Sequence, residues 1–265
     1  MLEFQPACRR VVIQVIDNGP GIEEEFIDKI SRSSNFSFAL VSSGSFSRRE
    51  LAPFSDIDVM FIFDSIEGHE EEIQFLVTKL WDCGIDISHT VREFSDIEKF
   101  LDTDLHTVTQ FFETRFLFGN KNVYETWNSK LFTSLLEEKR GHLIYEFFDD
   151  IESRHLRYGS SPKVLEPNVK YTAGGLRDLQ VVEWMYALKN NTVLSGQNEI
   201  TYTEQFLNLL KSEKIVSHSE IAKLYNSYKL ILYIRVQLHL ITKKKNDRLE
   251  FSAQQQIAAE LKEFD

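Results

Sequence analysis

A chain of 265 residues, 42% of them hydrophobic, can bury a real core as one large domain or two smaller ones. Its formal charge of -11 argues against nucleic acid or an anionic membrane as the main partner, because both require a net basic face. Cys8 and Cys83 alone give no disulfide framework and no thiolate metal cluster, the N-terminus lacks an apolar signal core, and no apolar run nears spanning length, so a cytoplasmic protein is expected.

Apolar residues with interspersed arginines run from Ala7 to Ile16, and Asn18-Gly19-Pro20-Gly21 breaks them. Glu23–Ser31 reads as a short acidic helix. Phe36–Ser42 is a strand candidate, and the turn-rich Ser43–Ser55 leads to a second strand, Ile57–Phe63. Glu67–Cys83 is an amphipathic helix stopped by Gly84, and Asp86–Glu93 alternates as a third strand. Beyond residue 94 the pattern is helical: Ser95–Leu101, Leu105–Phe118, Val123–Phe148, Leu176–Lys189, Thr203–Lys211, Ser219–Ile241 and Ala253–Phe264. In Ser219–Ile241 a stripe of Ile221, Leu224, Tyr225, Tyr228, Leu232 and Leu238 points to a core face. The expected architecture is α+β, a small mixed sheet over residues 1–119 followed by a helical subdomain over 120–265.

The chemistry concentrates between Gly44 and Asp58. Side chains alternate across a strand, so Asp56 and Asp58 point the same way, roughly 7 Å apart along the chain. Such a pair can hold one divalent ion or two adjacent ones, and Mg2+ suits a few carboxylates together with phosphate oxygens. Gly44 permits close backbone approach to a phosphate, Ser45 adds an N–H and a hydroxyl, and Arg48 and Arg49 can neutralise phosphate charge. Against this, Asp-x-Asp at a strand start is often a solvated turn, and Gly-Ser is common in loops.

The joint pattern resembles the nucleotidyltransferase superfamily of polymerase-β-like fold, whose signature is Gly-Ser, a spacer and Asp-x-Asp. Residues 39–58 are similar to the opening motif of bacterial PII-protein uridylyltransferases, in which Gly-Gly-Tyr-Gly-Arg-Gly-Glu-Leu is followed by Pro and Ser-Asp-x-Asp. Further similarities follow in order: Ser88-His89-Thr90-Val91-Arg92, Glu113-Thr114-Arg115 with Gly119, Arg154-His155-Leu156-Arg157-Tyr158, Glu166–Lys170, Gly174–Gln180 with Trp184, and Asn246-Asp247-Arg248-Leu249. The resemblance implies Mg2+-dependent transfer of a nucleotidyl group, usually UMP from UTP, to a protein acceptor of PII type. It implies metal binding by Asp56 and Asp58 and a triphosphate lined by Gly44 and Ser45. Another base or acceptor, or a nucleotide-binding regulatory module, are the alternatives. The family's Gly-Arg-Gly is Ser47-Arg48-Arg49 here. The third carboxylate of many superfamily members is Ser88 in the matching place, with Asp86 and Glu113 as candidates. The family's downstream phosphohydrolase and sensing domains lie beyond this chain, so neither nucleotide removal nor glutamine sensing is expected of it by that route.

Other residues carry two readings each. Arg154 and Arg157 either reach the triphosphate or complement a helix dipole. Gly174-Gly175 at a helix start either cradles an anion or allows close packing. Asn168, Lys170 and Arg177 are candidate nucleotide contacts. His89 reads as a core histidine, and Lys243-Lys244-Lys245 as a solvated helix end.

Overall fold

The computed structural model describes residues 37–81, 87–161, 163–196 and 200–261. The N-terminal apolar segment, its Asn-Gly-Pro-Gly break, the acidic helix, Cys83, Gly84 and Asp86 lie outside the described residues. The chain divides into two compact units, one holding the residues up to Leu51 with Asp56–Leu135, the other Ala52–Ser55 with Leu136–Asp265.

The first unit is built on a four-stranded mixed sheet in the order β3-β2-β1-β4. Strands β1 (Phe38–Ser42) and β2 (Ile57–Phe63) run antiparallel, with Ser42 opposite Val59. Between them lies α1, a single turn over Gly44–Ser47. Helix α2 (Glu70–Trp81) leads to β3 (Ile87–Glu93), which pairs parallel to β2 and sets Ser88 opposite Asp58. Then follow α3 (Asp96–Leu101), α4 (Leu105–Phe112), β4 (Arg115–Gly119) and α5 (Lys121–Ser134).

Alternation along β2 covers both faces of the sheet. Ile57, Val59, Phe61 and Phe63 pack with Phe38, Leu40 and Leu76 of α2. Met60 and Ile62, on the other face, are fully buried, and α5 packs on β1 and β2 with Trp127 and Leu131 equally sealed. A β2 buried on both faces reads as the near-continuous apolar run it is.

The strand β4 replaces the second half of the expected helix Leu105–Phe118. Helix α4 ends at Glu113, whose backbone leaves the helical region, and Arg115–Gly119 pairs antiparallel with β1 at a sheet edge. The expected helix Val123–Phe148 is likewise two helices, α5 and α6 (Glu137–Tyr158), broken at Leu135-Leu136. The break coincides with the division between units, downstream of the boundary expected after residue 119.

The second unit continues with α7 (Leu176–Asn190), α8 (Tyr202–Ser212), α9 (His218–Thr242) and α10 (Phe251–Leu261). Thr201 and Ser217 open α8 and α9 with reciprocal capping boxes to Glu204 and Glu220. The α9 stripe departs from expectation: Ile221, Tyr228 and Leu238 are buried as foreseen, Leu224 is exposed, and Arg235 and His239 are buried among them. No described helix is long and apolar enough to cross a membrane.

Candidate active site

The backbone N–H of Ser43 donates to the Asp58 carbonyl at 2.9 Å, so the chain leaves β1 still paired with the start of β2. It then turns through Gly44 at φ +56 into α1. A Cβ on Gly44 would fall 2.9 Å from Asp58 Oδ2. The missing side chain is therefore what lets this turn lie against the carboxylate, and the Gly44–Asp58 juxtaposition is that expected from the motif. Asp56 and Ser45 are half-buried. Among the described residues no group of three or more His, Cys, Asp or Glu is placed to hold a metal ion.

The rest of the turn is held by charge. Arg115 Nη2 donates to the Phe46 carbonyl at 3.0 Å and lies over the Phe46 ring, occupying carbonyls at the end of α1. Arg48 is buried, paired through Nε to Glu50 at 3.0 Å and through Nη1 to Glu113. This corrects two expectations. Arg48 is a core cation between two carboxylates and not a loop residue facing phosphate, and Glu113 neutralises it instead of completing an acidic triad. Arg49 keeps φ +60, a conformation suited to the glycine of the family's Gly-Arg-Gly. His89, expected in the core, is only half-buried, and the Trp81 ring it meets edge-on at 5.2 Å is 58% exposed.

In the second unit a loop from Glu166 to Gly175 presents Lys170 and, from the first turn of α7, Arg177. Asn168 organises it: its Oδ1 accepts the N–H groups of Lys170 at 3.0 Å and Tyr171 at 2.9 Å. Gly175 is enclosed, since a Cβ there would sit 2.9 Å from the carbonyl oxygens of Val169, Lys170 and Thr172. The N–H groups of Gly175, Leu176 and Arg177 donate to the carbonyls of Thr172, Val169 and Lys170, and that of Gly174 donates to Asp178 Oδ2 at 2.7 Å. The helix start is thus satisfied internally, which decides for close packing over an anion cradle. Arg154 is buried and donates to Asp178 at 2.6 Å and to the Tyr171 carbonyl, while His155 Nε2 sits 3.0 Å from Asp178. Arg154 thus ties the loop to α6. Burial pushes the Asp178 carboxyl up, but hydrogen bonds from Gly174, Arg154 and His155 outweigh it and hold the group below its usual range.

Lys170 and Arg177 gather around Tyr171. The Lys170 ammonium lies 5.0 Å from the Tyr171 ring centroid, and the Arg177 guanidinium lies over Tyr171 at 5.7 Å and Trp184 at 4.9 Å. Burial, then the charge of Arg177, lower the Lys170 pKa. Nearby Arg235 adds further repulsion, partly offset by Asp247. A lysine whose charge is disfavoured by its surroundings gains most from an arriving anion.

A group that sequence reasoning missed lies at the end of α9. Asp247 accepts from Arg235 Nε at 2.8 Å and lies 3.4 Å from His239 Nε2. Burial pushes the Asp247 carboxyl up, but His239 and Arg235 hold it well below the usual carboxylate range. The i, i+4 spacing of Arg235 and His239 was the available signal, passed over because polar residues on a helix are first read as its wet face.

The GlnD PII-uridylyltransferase family model matches residues 144–263. The bifunctional uridylyltransferase/uridylyl-removing enzyme of Hydrogenovibrio crunogenus is 33% identical over 223 residues, 83% of this chain and 23% of that protein. The enzyme of the same description from Gluconobacter oxydans is 30% identical over 223 residues, 81% and 23% of the two chains. That of Haemophilus influenzae strain 86-028NP is 28% identical over 258 residues, 95% and 28% of the two chains. The chain resembles the PII-uridylyltransferases. It spans about a quarter of the length of the curated relatives it matches.

Three outcomes follow from this geometry. Gly44→Ala should lower stability by about 1–2 kcal/mol through its positive φ, plus a steric part that Asp58→Ala removes. Urea denaturation of both single variants and the double would then show less-than-additive losses, and strict additivity would contradict the contact. Arg48→Ala removes the cation from between two buried carboxylates and should cost about 3–5 kcal/mol in the same measurement. Tripolyphosphate bound at Lys170 requires the charged ammonium, and the folded-state pKa lies below 10.5. Affinity measured by calorimetry should therefore fall as pH rises through that lowered value, earlier than for an ordinary lysine, and Lys170→Met should flatten the profile.

Proposed function

We propose that this chain carries the nucleotidyl-transferring function of a PII-uridylyltransferase, moving UMP from UTP to a PII-type signalling protein in the cytoplasm with Mg2+. The observation that carries the reading is Gly44 lying against Asp58, at the start of a strand whose Ser-Asp-x-Asp approach and downstream motifs resemble that family. An acceptor oxygen on the protein would attack the α-phosphorus of the nucleotide, the bond to the bridging β-phosphate oxygen would break, and pyrophosphate would leave.

The residues present fit Mg2+. This ion is usually bound by one or two carboxylates completed by phosphate and water, so Asp56 and Asp58 suffice without a third acid, and the bare Cα of Gly44 keeps a side chain from pressing on Asp58 Oδ2. When bound, the ion would neutralise charge on the phosphate oxygens. Gly44 and Ser45 would bring backbone close to the triphosphate. Lys170 and Arg177 are proposed as contacts for anionic ligand groups in the second unit, with Asn168 shaping their loop and not itself binding. Positioning and charge stabilisation dominate phosphoryl-transfer catalysis, and these residues supply no other chemistry.

Asp58→Asn is near-isosteric and should abolish Mg2+-dependent pyrophosphate release from UTP in the presence of a PII-type protein, with the melting temperature nearly unchanged. Full activity in this variant would refute the metal role. Parallel assays with ATP, CTP and GTP test the base, and release that does not depend on the PII-type protein would point to another acceptor.

A further inference from the structure

The segment Ala52–Ser55 belongs to the second unit although it lies in sequence between strands of the first, and the chain returns to the first unit at Asp56. Two side chains of α9 hold it. The Phe54 N–H donates to His239 Nδ1 at 3.3 Å, and Arg235 Nη2 donates to Ser55 Oγ at 3.3 Å. Because Nδ1 accepts, the neutral ring carries its hydrogen on Nε2, which faces Asp247 Oδ1 at 3.4 Å. The same carboxylate oxygen takes Arg235 Nε at 2.8 Å. His239 has no exposed surface, and Arg235 is 4% exposed. Asp247 is held by its backbone too: its carbonyl accepts the Val169 N–H at 2.8 Å, and Leu249 N–H donates to the Pro167 carbonyl at 2.9 Å. One acidic residue therefore ties the loop bearing Lys170 to the residues that grip Phe54 and Ser55.

Buried ionic clusters seldom outperform apolar packing of the same volume, but they fix one arrangement of the groups they join. We infer that Arg235, His239 and Asp247 are positioning residues for the acidic pair, acting by holding the backbone at Phe54 and Ser55 immediately ahead of Asp56 and Asp58. This rests on the proposed metal role of that pair. The device resembles the outer hydrogen bonds that orient ligands around metal sites, but it works through main chain, since His239 grips a peptide N–H and not a ligand side chain.

The test uses the full chain, hydrogen exchange at the Phe54 amide, and Mn2+ titration followed by its EPR signal. In His239→Ala, exchange at Phe54 should accelerate, and Mn2+ affinity should fall about tenfold or more. His239→Asn, whose amide oxygen can take the Phe54 N–H, should recover most of both, a rescue that a generic packing defect would not show. Ser55→Ala leaves Arg235 and Asp247 paired and should weaken Mn2+ binding in the same direction, which decides the matter if His239→Ala fails to fold. Unchanged Mn2+ affinity in folded His239→Ala and Ser55→Ala overturns the inference, as does His239→Asn behaving no better than His239→Ala. An unmodified chain that binds no Mn2+ instead refutes the metal reading of Asp56 and Asp58, a separate result, since the Phe54 amide reports the anchoring by itself.

Discussion

The first unit depends on a missing side chain. Gly44 lies where a Cβ would press on Asp58 Oδ2, and its φ of +56 is one that other residues adopt only under strain. Both demands arise from one geometric fact: the connection between β1 and β2 turns back while Ser43 is still hydrogen-bonded to Asp58. A side chain at 44 would force a choice between the turn and the carboxylate. Asp58 also lies within a strand sealed on both faces, where a precise site is best built, while Asp56 precedes that strand.

Within each unit the cations differ in what surrounds them. Arg48 sits in the turn that resembles a phosphate-binding loop, and the Arg115 side chain reaches that turn from β4. Yet one is enclosed by Glu50 and Glu113 and the other is spent on the carbonyls of Phe46 and Ser47. Arg154 is likewise used on Asp178 and a loop carbonyl. Lys170 differs, with an aromatic ring beside it, a second cation nearby and a lowered pKa. Desolvated like charges are costly, so a fold that keeps them together commonly does so at a site of function.

Legibility from sequence followed the reach of the interactions involved. Strand β2 was readable to the residue, because a continuous apolar run with acidic punctuation has few other interpretations. The Gly44–Asp58 contact was legible through the order of motifs. Strand β4 was not, since Arg115-Phe-Leu-Phe-Gly follows a helix without a break in apolar character. Its state is decided by the free edge of β1, a long-range fact. The break at Leu135-Leu136 carries neither glycine nor proline, so local propensity gave no warning. Arg48 and Glu113 lie far apart in the chain, and nothing local distinguishes a phosphate-facing arginine from one that a distant glutamate will neutralise. Gly174-Gly175 shows the same limit: two glycines at a helix start announce close approach, but only the three enclosing carbonyls show that the approach is to protein and not to ligand.

The path of the chain gives the buried charges of α9 their meaning. Four residues, Ala52–Ser55, leave the unit of their sequence neighbours, and such an excursion exposes peptide groups that need partners. His239 and Arg235 supply them, and Asp247 supplies the counter-charge that makes a buried arginine tolerable. An apolar α9 could pack at least as well, but it could not offer an acceptor to the Phe54 N–H or a donor to Ser55. The polar residues on the inner stripe of α9 are thus explained by a segment almost two hundred positions earlier in the chain, whose next residue is the first of the two aspartates.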